Sequence, residues 1–250
     1  MDHILNRHED KNNTLNKKPI INTSFADLDL TFLDKYEIIL FVEGYPRQAT
    51  TFLKTLLSKT YTQEEVAVTG RTHIPRYFDL YQKNLYFILP IRNPVDAITS
   101  WLVKNGFFKS LKNYGVSNAT INFANKIIDD YILFYEKVLN SNNKEQFIIF
   151  KFEDVISNSK FIIEKIFNTI NIEPENENFL QVDLVKEIEY QYKYTIENQK
   201  DHWKKHGYVP REDKVEHDFI KKIILSSIFS EKINICNNIY DILLEMEEAK

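Results

Sequence analysis

Ile38-Ile39-Leu40-Phe41-Val42-Glu43-Gly44-Tyr45-Pro46-Arg47-Gln48-Ala49-Thr50-Thr51-Phe52 is the stretch that decides how this chain folds. Five apolar residues of strand length run into a turn, and a helix-patterned segment, Thr50 to Lys59, follows it. Strand, turn and helix start put Arg47, two threonine hydroxyls and the first backbone N–H groups of the helix around one point. With the helix dipole behind them, these groups suit a phosphate or sulfate ester. The segment reads as an anion cradle for a nucleotide. The common nucleoside-triphosphate loop needs several glycines and a lysine directly before the Ser/Thr. Here Ala49 precedes Thr50 and Gly44 is the one glycine of the turn. The cation is Arg47, a planar fork of donors instead of a point charge.

Working outward, Leu85 to Ile91 is a second apolar run of strand length, and Arg92-Asn93-Pro94-Val95-Asp96-Ala97-Ile98-Thr99-Ser100 follows it. Asn93 is a good N-cap, Pro94 suits the first helical position, and Asp96 is placed to reach back and close the cap. Arg92 then stands at the carboxyl end of a strand. Ser100, two turns into the helix, meets the same edge if the elements pack closely. A guanidinium with a hydroxyl matches the needs of a phosphate dianion. Between these motifs, Val66 to Thr69 has strand character and leads into Gly70-Arg71-Thr72-His73-Ile74-Pro75. Histidine is the side chain whose ordinary pKa lies nearest neutrality, which suits it to accept a proton and release it again.

Tyr45-Pro46-Arg47-x-x-Thr50-Thr51-Phe52 resembles the phosphosulfate loop of the sulfotransferases that use 3′-phosphoadenosine 5′-phosphosulfate, with Gln48-Ala49 where that family usually has Ser-Gly. Arg92-Asn93-Pro94-x-Asp96-x-x-x-Ser100 is similar to the family element that holds the donor's 3′-phosphate, with every position filled. Thr72-His73-Ile74-Pro75 resembles the segment bearing the catalytic histidine of the cytosolic members, with Arg71 where lysine is usual. Lys151-Phe152-Glu153-Asp154-Val155 and Asp201-His202-Trp203-Lys204-Lys205-His206 are similar to two later family segments. Ile196-Glu197-Asn198 stand where cytosolic members carry Arg-Lys-Gly.

The resemblance, spanning about Ile38 to Lys205, implies transfer of a sulfuryl group from the nucleotide to a hydroxyl, less readily an amine, of a small-molecule acceptor. The co-product is 3′,5′-diphosphoadenosine and no metal is required. It implies His73 as general base and Arg47 as the group that neutralises charge on the departing 5′-phosphate. The cradle residues Arg47, Gln48, Ala49, Thr50, Thr51 and Phe52 bind the 5′ side, where Phe52 stacks on adenine, and Arg92 and Ser100 bind the 3′-phosphate. Glu43, at the strand end beside the loop, is the competing base or a cap for the turn. Other classes stay open on the residues alone. A P-loop-type kinase would also explain the cradle, although Thr50 lacks the preceding lysine and no magnesium carboxylate is evident. A non-catalytic nucleotide-binding protein is the third reading.

Strands alternating with helices predict one α/β domain over residues 35–250, a mostly parallel sheet of P-loop-like topology, behind a polar, Asn/Lys-rich arm over residues 1–34. Ligands of such sheets bind beyond the carboxyl ends of the strands, where all three motifs begin. Helices are further expected at Pro94 to Lys104, Ala119 to Leu139, Ser159 to Ile170, Glu177 to Tyr190, Lys214 to Leu225 and Ile233 to Glu247, and a strand at Gln146 to Phe150. Ile223, Ile224 and Ile228, then Ile235, Ile239 and Leu243, form the expected core stripes. The basic stretch Lys193 to Lys214 reads as a solvated loop or a lid over the donor. Arg76 to Gln82, Asn105 to Tyr114 and Tyr190 to Thr195 are candidates for the acceptor pocket.

A formal net charge of −4 over 250 residues argues against a general nucleic-acid binder. The single cysteine, Cys236, excludes an intramolecular disulfide and a cysteine metal site. No segment approaches the length and apolarity of a membrane span, and the N-terminus lacks a signal peptide's apolar centre, so a cytoplasmic protein is expected.

Overall fold

Ile38–Val42 forms strand β1 and lies inside a four-stranded sheet with β2 at Val66–Gly70, β3 at Leu85–Ile91 and β4 at Phe147–Lys151, in the order β2-β1-β3-β4. These strands belong to a computed structural model that describes residues 36–62, 66–70, 73, 78, 84–175 and 214–249. Every pairing is parallel, with Ile39 opposite both Ala67 and Leu85, and Phe87 opposite Phe147. Parallel strands are covered on both faces, which is why β1 and β3 read as unbroken apolar runs without alternation.

The described helices are α1 (Thr50–Thr60), α2 (Pro94–Lys104), α3 (Phe107–Tyr114), α4 (Asn118–Leu139), α5 (Phe152–Ser157), α6 (Ser159–Ile170), α7 (Lys214–Ile224) and α8 (Ser230–Glu248). Because successive strand side chains point to opposite faces, the strands feed two cores. Ile39, Phe41, Phe87, Leu89, Phe147 and Ile149 pack with residues of α2, α4, α7 and α8. Leu40, Val42, Ile88, Ile148 and Phe150 pack with α1 and α6 on the other face. Phe78 fills the first core, edge-on to Phe87, Phe134 and Phe147 at centroid distances of 5.2, 5.4 and 5.3 Å. Truncating such a ring to alanine costs about 3–5 kcal/mol. Phe78 is therefore core and not acceptor pocket.

The strands and helices anticipated within the described residues are present, with bounds differing by a few residues. Helix α3 was not anticipated. Its signal is the buried i, i+4 pair Phe107 and Leu111, and glycines at φ 74° and 62° bracket it. The core stripes are partly displaced. Ile224 is buried, but Ile228 is 52% exposed. On α8, Ile239 and Leu243 are buried as expected, whereas Ile235 faces solvent and Ile233 and Cys236 take the core positions. A helix starting at Ser230 carries residues 233, 236, 239 and 243 on one stripe. Asn93 caps α2 as expected, accepting from Val95 N–H at 3.1 Å and Asp96 N–H at 3.4 Å. The Asp96 carboxylate does not close the cap. It pairs instead with Lys221 Nζ on α7 at 2.7 Å. The arm over residues 1–34, the helix expected at Glu177 to Tyr190 and the basic stretch up to residue 213 lie outside the described residues. Among the described residues, no helix is long and apolar enough to cross a membrane.

Candidate active site

The turn between β1 and α1 is pinned from below at two points by α4. Tyr45 buries its ring against Tyr131 and donates its hydroxyl to the Ile127 carbonyl at 2.9 Å. Gln48 is fully buried, and its Oε1 accepts from the hydroxyl of Tyr135. Between these anchors Arg47 takes φ 75°, and Ala49 takes φ 62° as the N-cap of α1. Left-handed backbone at non-glycine residues costs roughly 1 kcal/mol or more each and persists where surrounding contacts impose it. Inward anchors at Tyr45 and Gln48 turn Arg47, between them, away from the core. Ala49 gives α1 no side-chain cap, so the N–H groups of its first turn are directed at whatever occupies the turn. Thr50 is buried, and Thr51 and Phe52 are partly so, Phe52 resting against the α1–α6 core.

The two arginine motifs meet. Arg47 Nε donates to Ser100 Oγ at 3.1 Å, and Arg92 Nη1 donates to the backbone carbonyl of Arg47 at 3.3 Å. Arg92 lies over the ring of Phe152 at 4.4 Å from its centroid. Burial lowers the Arg92 pKa, opposed by Asp96 and Glu153, but a guanidinium starts so high that it stays a cation. A serine oxygen that accepts from Arg47 retains its own proton for a further acceptor. The assembly therefore presents two cations and a hydroxyl beside the open end of α1.

His73 stands at the neighbouring strand end. The Gly44 carbonyl lies 2.6 Å from His73 Nδ1; since a carbonyl only accepts, Nδ1 carries the proton and the basic lone pair falls on Nε2. Glu43 is fully buried, and its Oε1 accepts from the N–H groups of His73 at 2.7 Å and Gly44 at 3.3 Å. This carboxylate ties the β1 turn to the segment after β2 and holds His73 at φ 56°. Gly70, which ends β2 at φ 109°, is the only residue that fits there: a Cβ would lie 2.0 Å from the Val42 carbonyl oxygen.

The structure thus brings Arg47, Thr50, Arg92, Ser100 and His73 to one edge of the sheet. Arg71 lies outside the described residues. Two contributors had no local sequence signal, Tyr135 beneath the loop and Lys221 on Asp96, whereas Phe152, beneath Arg92, belongs to a segment quoted above with no role given to its ring. Asn105 to Tyr114, a candidate for the acceptor pocket, borders an apolar hollow of about 310 Å³ with Phe219, Ile223 and Phe229. None of Arg47, His73, Arg92 or Ser100 lines it.

Two guanidiniums, a helix start and an imidazole thus stand together at the carboxyl edge of a parallel sheet, a set of groups suited to an anionic ligand. The family model described as the sulfotransferase domain matches residues 69–224. The match covers more than half of the chain and includes His73, Arg92 and Ser100, and the chain belongs to the sulfotransferase family. The crystal structure of the mouse sulfotransferase SULT7A1 complexed with PAP is similar at 12% identity, covering 88% of this chain and 93% of that one with a TM-score of 0.42. That likeness is too distant to add to the assignment. No curated protein matches at a significant level.

Proposed function

We propose that this enzyme moves a sulfuryl group from 3′-phosphoadenosine 5′-phosphosulfate to the hydroxyl, less readily the amine, of a small acceptor. The observation that carries the reading is the contact between Arg47 Nε and Ser100 Oγ, which joins the cradle to the element proposed for the 3′-phosphate. The donor set fits a nucleotide with anions at both ends. Arg92 and Ser100 take the 3′-phosphate, while Arg47, Gln48, Ala49, Thr50 and Thr51 form the cradle for the 5′ side, and Phe52 stacks on adenine. Gln48, being fully buried, supports this cradle from beneath instead of touching the ligand.

The bound donor supplies an activated sulfuryl group on a phosphosulfate anhydride. His73 Nε2 removes the acceptor proton as the new S–O bond forms. The Nδ1 contact with the Gly44 carbonyl orients the ring and stabilises the imidazolium that results. As the bridging S–O bond breaks, Arg47 and the first turn of α1 receive the charge left on the 5′-phosphate oxygen. Glu43 positions His73: it is fully buried and occupied by two backbone N–H groups.

Calorimetry with 3′,5′-diphosphoadenosine, 5′-AMP and ATP, followed by an acceptor screen with isotopically labelled donor, tests this. Tight binding of the diphosphate alone and labelled, sulfated product are expected. Equal affinity for the three nucleotides would overturn the reading.

A further inference from the structure

Phe219, Lys222, Ile223 and Ser226, from α7 and the turn beyond it, line the apolar hollow of about 310 Å³. Their spacing of i, i+3, i+4 and i+7 is one face of a helix. Helical bonding continues past the end of α7, since Leu225 N–H donates to the Lys221 carbonyl and Ser226 N–H to the Ile223 carbonyl, each at 3.0 Å. Ser226 therefore stands one turn beyond Lys222 on the same face. Phe107 and Leu111 of α3 supply another wall. Val116 and Ile228 complete it although they are 63% and 52% exposed, and exposed apolar surface gathered around a hollow is the mark of a ligand groove. The volume sits at the small end of the range for ligand clefts, roughly 300–1,000 Å³.

Three of the lining residues carry polar side-chain atoms. Thr120 Oγ1 is engaged, accepting from Ser117 N–H at 2.9 Å and donating to the Ser117 carbonyl at 2.9 Å. Ser226 Oγ is buried, and among the described residues it has no hydrogen-bond partner. A buried hydroxyl left unpaired is costly, and a ligand that accepts from it removes the cost. Lys222 is exposed, so its stem can lie along the apolar lining while its ammonium stays in water. We propose that the hollow binds a small monocarboxylic acid with an aliphatic chain or a single ring, its apolar body against Phe107, Leu111, Phe219 and Ile223 and its carboxylate accepting from Ser226 Oγ and Lys222 Nζ. A hydroxyl and an ammonium one helical turn apart offer donors to an anionic head, whereas a cationic head would meet Lys222 with like charge. A lone water fits less well, because it needs two or more polar partners and Thr120 Oγ1 is already engaged. None of Arg47, His73, Arg92 or Ser100 lines the hollow, so the acid is held by groups other than those proposed for the nucleotide.

Titration calorimetry of the full chain at neutral pH, where a carboxylic acid is ionised, tests this with three probes that share one tail: octanoate, octanol and octylamine. Octanoate is expected to bind one per chain. Octanol, lacking the charge-assisted hydrogen bonds, is expected to bind about tenfold more weakly, and octylamine more weakly still. Lys222→Glu, a change at an exposed side chain, is expected to weaken octanoate about tenfold by exchanging attraction for repulsion, with octanol unchanged. Ser226→Ala is expected to weaken octanoate about tenfold with a thermal midpoint no lower than that of the wild type, because it removes a buried hydroxyl that has no partner. Octanol or octylamine binding as tightly as octanoate would overturn the inference, as would the absence of saturable octanoate binding. Wild-type octanoate affinity in Lys222→Glu or Ser226→Ala would overturn it too, by placing the acid elsewhere, such as against Arg47 and Arg92.

Discussion

Arg47 Nε and Ser100 Oγ, 53 positions apart in the chain, are hydrogen-bonded at 3.1 Å. The turn after β1 and the helix after β3 therefore form one surface before any ligand arrives. Ser100→Ala is expected to weaken 3′,5′-diphosphoadenosine binding roughly tenfold, the loss of one hydrogen bond to a charged group. Arg47→Lys is expected to lower turnover far more than nucleotide affinity, since an ammonium lacks the fork that faces both the serine and the departing oxygen. Titration calorimetry and initial rates separate the two effects. Equal loss of affinity and turnover in Arg47→Lys would place that guanidinium in binding alone.

His73 donates its backbone N–H to Glu43 Oε1 at 2.7 Å, and the roles proposed for the two side chains differ. His73→Gln is expected to lower kcat by roughly 10²- to 10⁴-fold with nucleotide affinity retained. Glu43→Gln keeps an oxygen for the two backbone N–H groups, so less than about a tenfold fall is expected. If Glu43→Gln proves as damaging to kcat as His73→Gln at unchanged stability, the base is the glutamate.

Ala49 and Gly70 are opposite cases of left-handed backbone. At Ala49, φ is 62° with a Cβ present, so Ala49→Gly is expected to raise stability by up to about 1 kcal/mol. At Gly70 a Cβ would strike the Val42 carbonyl oxygen at 2.0 Å. Gly70→Ala is expected to separate the ends of β1 and β2 and displace His73 three residues on, costing several kcal/mol by the mechanism of strained backbone. Thermal denaturation reads both, and a neutral Gly70→Ala would contradict the geometry.

Tyr135 donates to Gln48 Oε1, and among the described residues Gln48 Nε2 has no partner. Removing the phenol strands the amide oxygen too. Tyr135→Phe is expected to cost about 1–3 kcal/mol in denaturant unfolding, with the pair Tyr135→Phe and Gln48→Leu closer to wild type than Tyr135→Phe alone. A fully additive double variant would show that the hydroxyl and the amide act independently.

Cys236 is fully buried on α8, and burial pushes its thiol pKa up to about 12. A thiolate is scarce at pH 8, so a thiol reagent is expected to leave the folded protein unmodified and to react once denaturant unfolds it. Rapid labelling without denaturant would show that α8 opens.

The sheet was legible because parallel strands buried on both faces leave unbroken apolar runs, and Ile38–Val42 and Leu85–Ile91 are such runs. The N-cap at Asn93 was equally legible, being written in Asn93 and the Pro94 that follows it. The partner of Asp96 was not, because Lys221 lies 125 positions away and local capping chemistry predicts the nearer contact. The stripe on α8 was misread for a related reason: several spacings of isoleucine satisfy a helical period, and only the packing against α4 and β4 selects Ile233 and Cys236 over Ile235.

Taken alone, the chain determines its chemistry through local patterns: an apolar strand, a turn bearing Arg47, and an Arg92-to-Ser100 element at a helix start. Those features need only neighbours in sequence, since strand burial and helix capping act over a few residues. The tertiary structure decided what joins them. Arg47 reaches Ser100, Tyr135 reaches Gln48, and Glu43 holds the backbone of His73 only because crossover connections bring distant segments to one sheet edge. Hydrogen bonds and ion pairs of that kind depend on ångström distances in space, which sequence separation does not encode.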